Sequence, residues 1–203
     1  MNQILETKTV QNKLKKYISI FIFSIIAIII LLTIYFIKLV QNNEEKNFSK
    51  SISQNYKVYR LYAEDTNKLS LLKDNDIYGN IIIPKINVNY PFFYGISDDL
   101  LKISPCRFNG KMPNIKSNLC IAGHNYNDDR FFSKISSLTI GDEILIEDLN
   151  ANTYIYNVYE IFEVTEDELF TYVDSYKNEY ELTLVTCNNI NNKRIIVKAK
   201  KIE

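Results

Sequence analysis

The sequence predicts a mostly β fold, a closed or nearly closed barrel with short helices, carried behind one N-terminal transmembrane helix. Three observations predict it. Tyr17 to Ile37 holds no charged residue and is dominated by Ile, Leu and Phe. Gln41 to Asp76 is polar and charged, with weak helical periodicity around Tyr56 to Leu72. From Ile77 onward, short runs of β-branched and aromatic residues alternate with polar turns.

The apolar run comes first. About 21 residues at 1.5 Å rise span roughly 31 Å, the thickness of a bilayer core. A cleaved signal peptide would be shorter and would end in small residues. This run ends in Ile34-Tyr35-Phe36-Ile37-Lys38, so a retained anchor is expected. Lys8, Lys13, Lys15 and Lys16 precede it, opposed by Glu6, whereas Lys38 and Lys46 follow it beside Glu44 and Glu45. The positive-inside rule then keeps residues 1–16 cytoplasmic, places the anchor at 17–37 and sends the rest outside the cell membrane. Tyr17 and Tyr35 sit where interfacial aromatics belong. Residues 38–76 read as a partly helical stalk. Its apolar stripe of Val58, Leu61, Tyr62 and Leu69 can pack back on the domain at 77–203.

Within that domain the expected strands are Gly79 to Ile83, Ile86 to Tyr94, Asn118 to Ala122, Glu143 to Ile146, Thr153 to Val164, Glu181 to Thr186 and Arg194 to Ile202. Pro84, Gly95 and the run Asp148-Leu149-Asn150-Ala151-Asn152 supply the breaks. Two short helices fit near Arg130 to Ser137 and Glu166 to Tyr172; Phe131, Phe132 and Ile135 give the first an apolar face.

Composition excludes some functions. Lys and Arg number 24, as do Asp and Glu, so the net charge is zero and no basic footprint for nucleic acid is expected. The three cysteines, Cys106, Cys120 and Cys187, are an odd count that argues against a disulfide framework. Cys106 and Cys120 read as buried free thiols, with one disulfide between them as the alternative.

Three reactive residues fall at strand ends. His124, the single histidine, follows Cys120-Ile121-Ala122-Gly123. Cys187 ends Thr183-Leu184-Val185-Thr186-Cys187, and Arg194 opens the last strand. If the last two strands form a hairpin, Cys187 and Arg194 meet at one rim of the sheet, and His124 joins them if its strand runs the right way. The chemistry suits these types. A thiolate is a strong nucleophile. Imidazole exchanges protons near neutral pH. A guanidinium stays charged and can hold an oxyanion. Singly, each has an ordinary reading as a structural thiol, a satisfied imidazole or a solvated cation.

Thr183-Leu184-Val185-Thr186-Cys187 matches the TLxTC motif of sortases. Ala122-Gly123-His124 resembles that family's histidine motif, and Arg194 falls where the family places its arginine. The resemblance runs from about Tyr78 to the end of the chain, and an N-terminal anchor is typical of the family. It implies an eight-stranded sortase-type β-barrel and a cysteine transpeptidase that needs no cofactor. Such an enzyme cleaves an LPxTG-like sorting signal at the C-terminus of a secreted protein, through a thioester. It then passes the protein to an amine acceptor, a cell-wall peptide precursor or a pilin Lys. Carried onto this chain, Cys187 is the nucleophile, His124 the acid and base, and Arg194 the holder of the substrate carbonyl and its oxyanion. Thr186 is offered as a substrate contact.

Subclass follows from what the sequence lacks. It has no C-terminal transmembrane helix, no Asp-Pro-aromatic lid motif in Gln41 to Asp76, and little room between Glu163 and Glu181 for a long helical insertion. These point to a class D or E, or another anchoring, sortase. No metal site is expected: Asp128 and Asp129 read as a turn, and Glu166, Asp167 and Glu168 as an acidic helix start. Specificity is expected in the Thr165 to Tyr180 connection. The rival functions are a membrane-tethered cysteine protease that hydrolyses the acyl-enzyme, and a non-catalytic membrane-anchored binding module. Papain-like enzymes place Cys before His, and the S-x-G-C-x-R context of L,D-transpeptidases is absent.

Overall fold

The computed structural model describes residues 2–55, 77–173 and 179–202, with side chains from residue 14 onward. The chain divides into two compact units, Met1–Glu44 and Glu45–Glu203. The helix α1 runs from Asn2 to Asn55. Its apolar stretch is long and apolar enough to cross a membrane. Within it, the hydroxyls of Ser24 and Thr33 donate to the carbonyls of Phe21 and Ile30 at 2.7 and 2.8 Å. Those bonds satisfy both hydroxyls within the helix itself. The expected stripe Val58, Leu61, Tyr62 and Leu69 lies outside the described residues.

The second unit begins with the last turns of α1. Ile52 is buried and Phe48 half-buried against Ile77, Phe93, Leu100, Ile103 and Cys106. The Ser53 hydroxyl bonds the Asn89 carbonyl.

Eight strands follow: β1 (Ile77–Ile83), β2 (Val88–Phe93), β3 (Cys106–Asn109), β4 (Ser117–Ala122), β5 (Glu143–Glu147), β6 (Thr153–Val164), β7 (Tyr180–Cys187) and β8 (Arg194–Lys201). Short α-helices, α2 (Asp98–Ile103) and α3 (Leu169–Tyr172), lie between β2 and β3 and between β6 and β7. The strands close into a barrel in the order β1-β2-β3-β4-β7-β8-β6-β5. Pairing of Asn80 to Ile82 with Leu145 to Glu147 closes the circuit between β1 and β5.

The pleat sorts the side chains. Leu119, Ile121, Leu182, Leu184, Val197 and Ala199 fill the barrel interior with Ile81, Phe92, Ile144 and Tyr156. On the opposite face of β4, β7 and β8, Cys120, Val185 and Ile196 pack under Val164, Leu169 and Val173. These strands are therefore buried on both faces, and every residue from Glu181 to Thr186 is buried. A polar layer pins the cover. Lys198 and Glu181, each 4 % exposed, pair at 3.5 Å. Lys198 Nζ and Asn118 Nδ2 donate to the Tyr172 carbonyl at 3.0 and 3.2 Å.

Several expectations shift. The run Ile86 to Tyr94 is interrupted: Pro84–Ile86 forms a 3₁₀ turn, and Asn87, at φ 55°, turns the chain before β2 begins. The eighth strand, β3, is four residues long and meets β2 at one pair, Phe93 with Cys106. Arg130 to Ser137 is not a helix; only Ile135–Ser137 closes a 3₁₀ turn. Phe131, at φ 52°, breaks the run, and Phe131 and Phe132 are both fully buried. The expected helix at Glu166 to Tyr172 shrinks to α3, preceded by a turn in which the Glu168 carboxylate accepts from the Thr165 amide and hydroxyl. Cys106 and Cys120 are both free and buried.

Candidate active site

β7 and β8 form an antiparallel hairpin in which Cys187 lies directly opposite Arg194. Leu182 and Leu184 face the interior from β7, and Val197 and Ala199 do so from β8. Alternation therefore puts Cys187 and Arg194 on the outer face together. β4 runs parallel to β7, with Ala122 level with Val185. Two residues further on, His124 reaches the same rim as Cys187. All three expected residues thus converge at one end of three adjacent strands.

Local bonds hold the strand ends together. The Gly123 amide donates to the Val185 carbonyl at 3.1 Å, which continues the β4–β7 ladder past the strand. Thr186 is buried and its hydroxyl donates to the Gly123 carbonyl at 2.7 Å. The hydroxyl offered to substrate is thus engaged in joining β7 to the turn that carries His124. Asn125 donates from Nδ2 to the Cys187 carbonyl at 2.8 Å. Gly123 has a steric reason: a Cβ there would lie 2.8 Å from Cδ2 of Phe132. That ring packs in the core beneath the histidine turn.

His124 is half-buried, and its ring meets Tyr126 edge-on at 5.2 Å. The Arg130 guanidinium lies 4.0 Å over the other contact of that stack, the Tyr126 ring. Arg130 is itself buried and paired with Asp128 at 2.9 Å. Burial holds the imidazole below its usual pKa. Asp98 and Glu45 oppose this shift, and Lys102 and Arg130 reinforce it. The neutral ring is therefore favoured.

Arg194 is 21 % exposed and pairs through Nη2 with the Glu166 carboxylate at 3.0 Å. Glu166 is 72 % exposed and stands at the mouth of the β6–β7 connection. An anion can thus reach the guanidinium from solvent, as the Glu166 carboxylate does. Cys187 is neither fully buried nor fully exposed. Among the described residues, no group of three or more His, Cys, Asp or Glu could hold a metal ion. Asp128 and Asp129 are taken up by Arg130 and Lys134.

Sequence reasoning missed the residues that contact the three: Asn125, Tyr126 and, as the partner of Arg194, Glu166, with Arg130 behind Tyr126. The one visible signal was the density of asparagine in the β7–β8 connection, where Asn188, Asn189, Asn191 and Asn192 crowd one loop.

Known proteins bear on this arrangement. A model of the Sortase domain matches residues 81–202. Sortase A of Bacillus anthracis is 33 % identical over 140 residues, which cover 64 % of this chain and 65 % of that protein. The match thus spans just under two thirds of that relative's length. A Clostridium perfringens Sortase D5 transpeptidase superposes with TM-score 0.59 at 31 % identity, covering 72 % of this chain and 95 % of the other. Listeria monocytogenes sortase A superposes with TM-score 0.57 at 26 % identity, covering 63 % and 88 %. With a sortase-domain match across the closed barrel and the histidine, cysteine and arginine on one rim, the chain belongs to the sortase family.

Proposed function

We propose that this chain is a membrane-anchored transpeptidase in which Cys187, His124 and Arg194 carry the reaction. The observation that supports it most is the direct cross-strand pairing of Cys187 with Arg194 beside a parallel β4. The substrate is a secreted protein with a C-terminal LPxTG-like signal. The Cys187 thiolate attacks the Thr carbonyl carbon, and Arg194 holds the resulting oxyanion. Only the minor fraction of enzyme that carries a proton on His124 beside the thiolate is competent: it gives that proton to the leaving amine, so the C–N bond breaks and a thioester remains. An incoming amine, from a cell-wall peptide or a pilin Lys, loses its proton to His124 as it attacks. The new amide forms, and the Cys187 thiolate departs.

Substrate must displace Glu166 from Arg194 before the carbonyl can bind. Thr186 backs the site through Gly123, and contact with substrate there would exchange one bond for another. The lysine bias flanking the apolar helix supports a cytoplasmic N-terminus and an extracellular barrel. The short stretch of sequence between β6 and β7 supports a class D- or E-like anchoring enzyme.

The test uses the full chain in detergent with a fluorogenic LPxTG-type peptide, with and without an amine. Product carrying the amine supports transpeptidation. Free acid alone, with amine present, makes the protein a protease. No turnover by folded protein across an LPxTG-type library favours the binding module. Retained turnover in Cys187→Ala would remove Cys187 as the nucleophile.

A further inference from the structure

The loop from Asn188 to Lys193 joins Cys187 to Arg194, so its shape sets how those two residues face each other. It is closed at its base by the Asn188 amide on the Lys193 carbonyl at 2.8 Å. Asn192 turns the chain at φ 57°. Above that base, the loop makes two bonds to one side chain on β6. Asn188 Nδ2 donates to Oε1 of Glu163, and Asn191 Nδ2 donates to Oε2 at 2.9 Å. Each carboxylate oxygen thus receives one asparagine.

The two asparagines have no freedom to turn round without loss. Oδ1 of Asn188 accepts from the Ile190 amide at 2.9 Å, and Oδ1 of Asn191 accepts from the Lys193 amide at 3.1 Å. Their NH₂ groups must therefore point outward, and only a group that accepts twice satisfies both. A carboxylate does so, and these bonds hold the Glu163 carboxyl below its usual pKa. The loop's other side is tied to the histidine turn. Asn189 Nδ2 donates to the Asn125 carbonyl at 2.9 Å, and Asn125 Nδ2 donates to the Cys187 carbonyl at 2.8 Å. Glu163 is level with Ile195, next to Arg194, so the brace acts beside the arginine.

We propose that Glu163 is a positioning residue for the transpeptidation reaction: through Asn188 and Asn191 it holds the loop that sets Cys187 against Arg194. This rests on the reaction proposed above. Glu163 touches no reacting group. It works by fixing geometry, and a displacement of about 1 Å in such a site can lower the rate by ~100-fold.

The test exchanges donor and acceptor. Glu163→Gln presents an NH₂ to one asparagine NH₂, and Asn191→Asp presents a carboxylate to a carboxylate. Combined, E163Q and N191D restore one donor facing one acceptor and return the net charge to that of the wild type. Each single change should lower kcat for an LPxTG-type peptide by about 10-fold with KM within about 2-fold, and the pair should recover to within about 3-fold of wild type. A charge effect on Arg194 would instead move the two single variants in opposite directions. That outcome overturns the proposal, as does unaltered kcat in E163Q or failure of the folded pair to recover.

A substrate-free readout separates this proposal from the reaction itself. In NMR of the full chain in detergent, the side-chain amides of Asn188 and Asn191 should shift together as Glu163 titrates, below the ordinary Glu range. The shift should vanish in E163Q. Amides that ignore this titration overturn the brace even if the peptide is turned over. Amides that follow it while the wild type turns over no peptide would refute the reaction and leave the brace standing as a structural tie only.

Discussion

Asn125 donates its side-chain amide to the backbone carbonyl of Cys187 at 2.8 Å, which couples the residue after the histidine to the cysteine 62 positions later. The bond crosses between the ends of β4 and β7, where the strand ladder has stopped. It therefore does what further pairing between β4 and β7 would have done.

Asn125→Ala removes that donor and leaves the Cys187 carbonyl without it. One such bond contributes about 1 kcal/mol to stability. The expected result is a melting temperature a few degrees lower and kcat reduced by about 10-fold. Asn125→Asp should be worse, because a carboxylate would face the carbonyl oxygen. Thermal melts beside steady-state kinetics check both; equal activity in all three proteins would reduce Asn125 to a surface residue.

In the proposed reaction Glu166 competes with substrate for Arg194. The pair is solvent-screened on the Glu166 side, so its strength belongs to surface ion pairs of about 0–1 kcal/mol. Glu166→Gln should therefore lower KM for the peptide modestly, by up to ~5-fold, and leave kcat nearly unchanged. Arg194→Lys should act in the opposite sense. It keeps charge, loses the planar fork, and is expected to lower the rate by at least ~100-fold. A KM for Glu166→Gln that rises would mean that the carboxylate orients the guanidinium rather than blocking it.

The three thiols should differ sharply in reactivity. Burial pushes the Cys106 thiol up to about 12 and the Cys120 thiol higher still. Neither offers a thiolate at neutral pH, and both side chains are inside the fold. Iodoacetamide at pH 7.5 should thus add one label, on Cys187, and none to Cys187→Ala. In denaturant, all three should label. Mass spectrometry of the intact chain reads the count, and a second label on native protein would show that one of the clusters lined by Cys106 or Cys120 opens in solution.

The barrel was legible where strands are long. β6 spans twelve residues rich in Tyr, Ile and Val, and its limits, Thr153 and Val164, are those expected from sequence. β3 was not legible because four residues hold too little alternation to register. The start of α2 carried a signal that went unread: Ser97 caps it by accepting from the Leu100 amide at 3.2 Å, with Asp98 and Asp99 following. At Arg130 to Ser137 the helical spacing of Phe131, Phe132 and Ile135 misled. Phe132 enters the barrel core, whereas Phe131 packs on Tyr90 and Tyr126. For the site, hairpin logic sufficed to bring Cys187 to Arg194. The braces were invisible because asparagine in a loop reads as turn chemistry, and its partners, Glu163 and Asn125, lie on other elements.

His124 offers the sharpest pH test, because the chain has one histidine. Its Hε1 resonance should titrate with a pKa below 6.5, since burial disfavours the cation. The consequence for stability has a definite sign. Between the folded and unfolded pKa values the unfolded chain binds more protons at this residue. Stability from His124 is therefore present above pH 6.5 and is lost as pH falls through that value toward the folded pKa. The reaction needs thiolate and imidazolium together, which is a one-proton form of the Cys187–His124 pair; the acid limb of kcat/KM reports the gain of a second proton by that pair and should also lie below pH 6.5. Tyr126→Leu removes the ring that meets the imidazole edge-on and opens it to water. Both the NMR pKa and the acid limb should then rise together toward 6.5. If the resonance moves and the limb does not, the group that limits the rate in acid is not His124, and its role as the proton carrier fails.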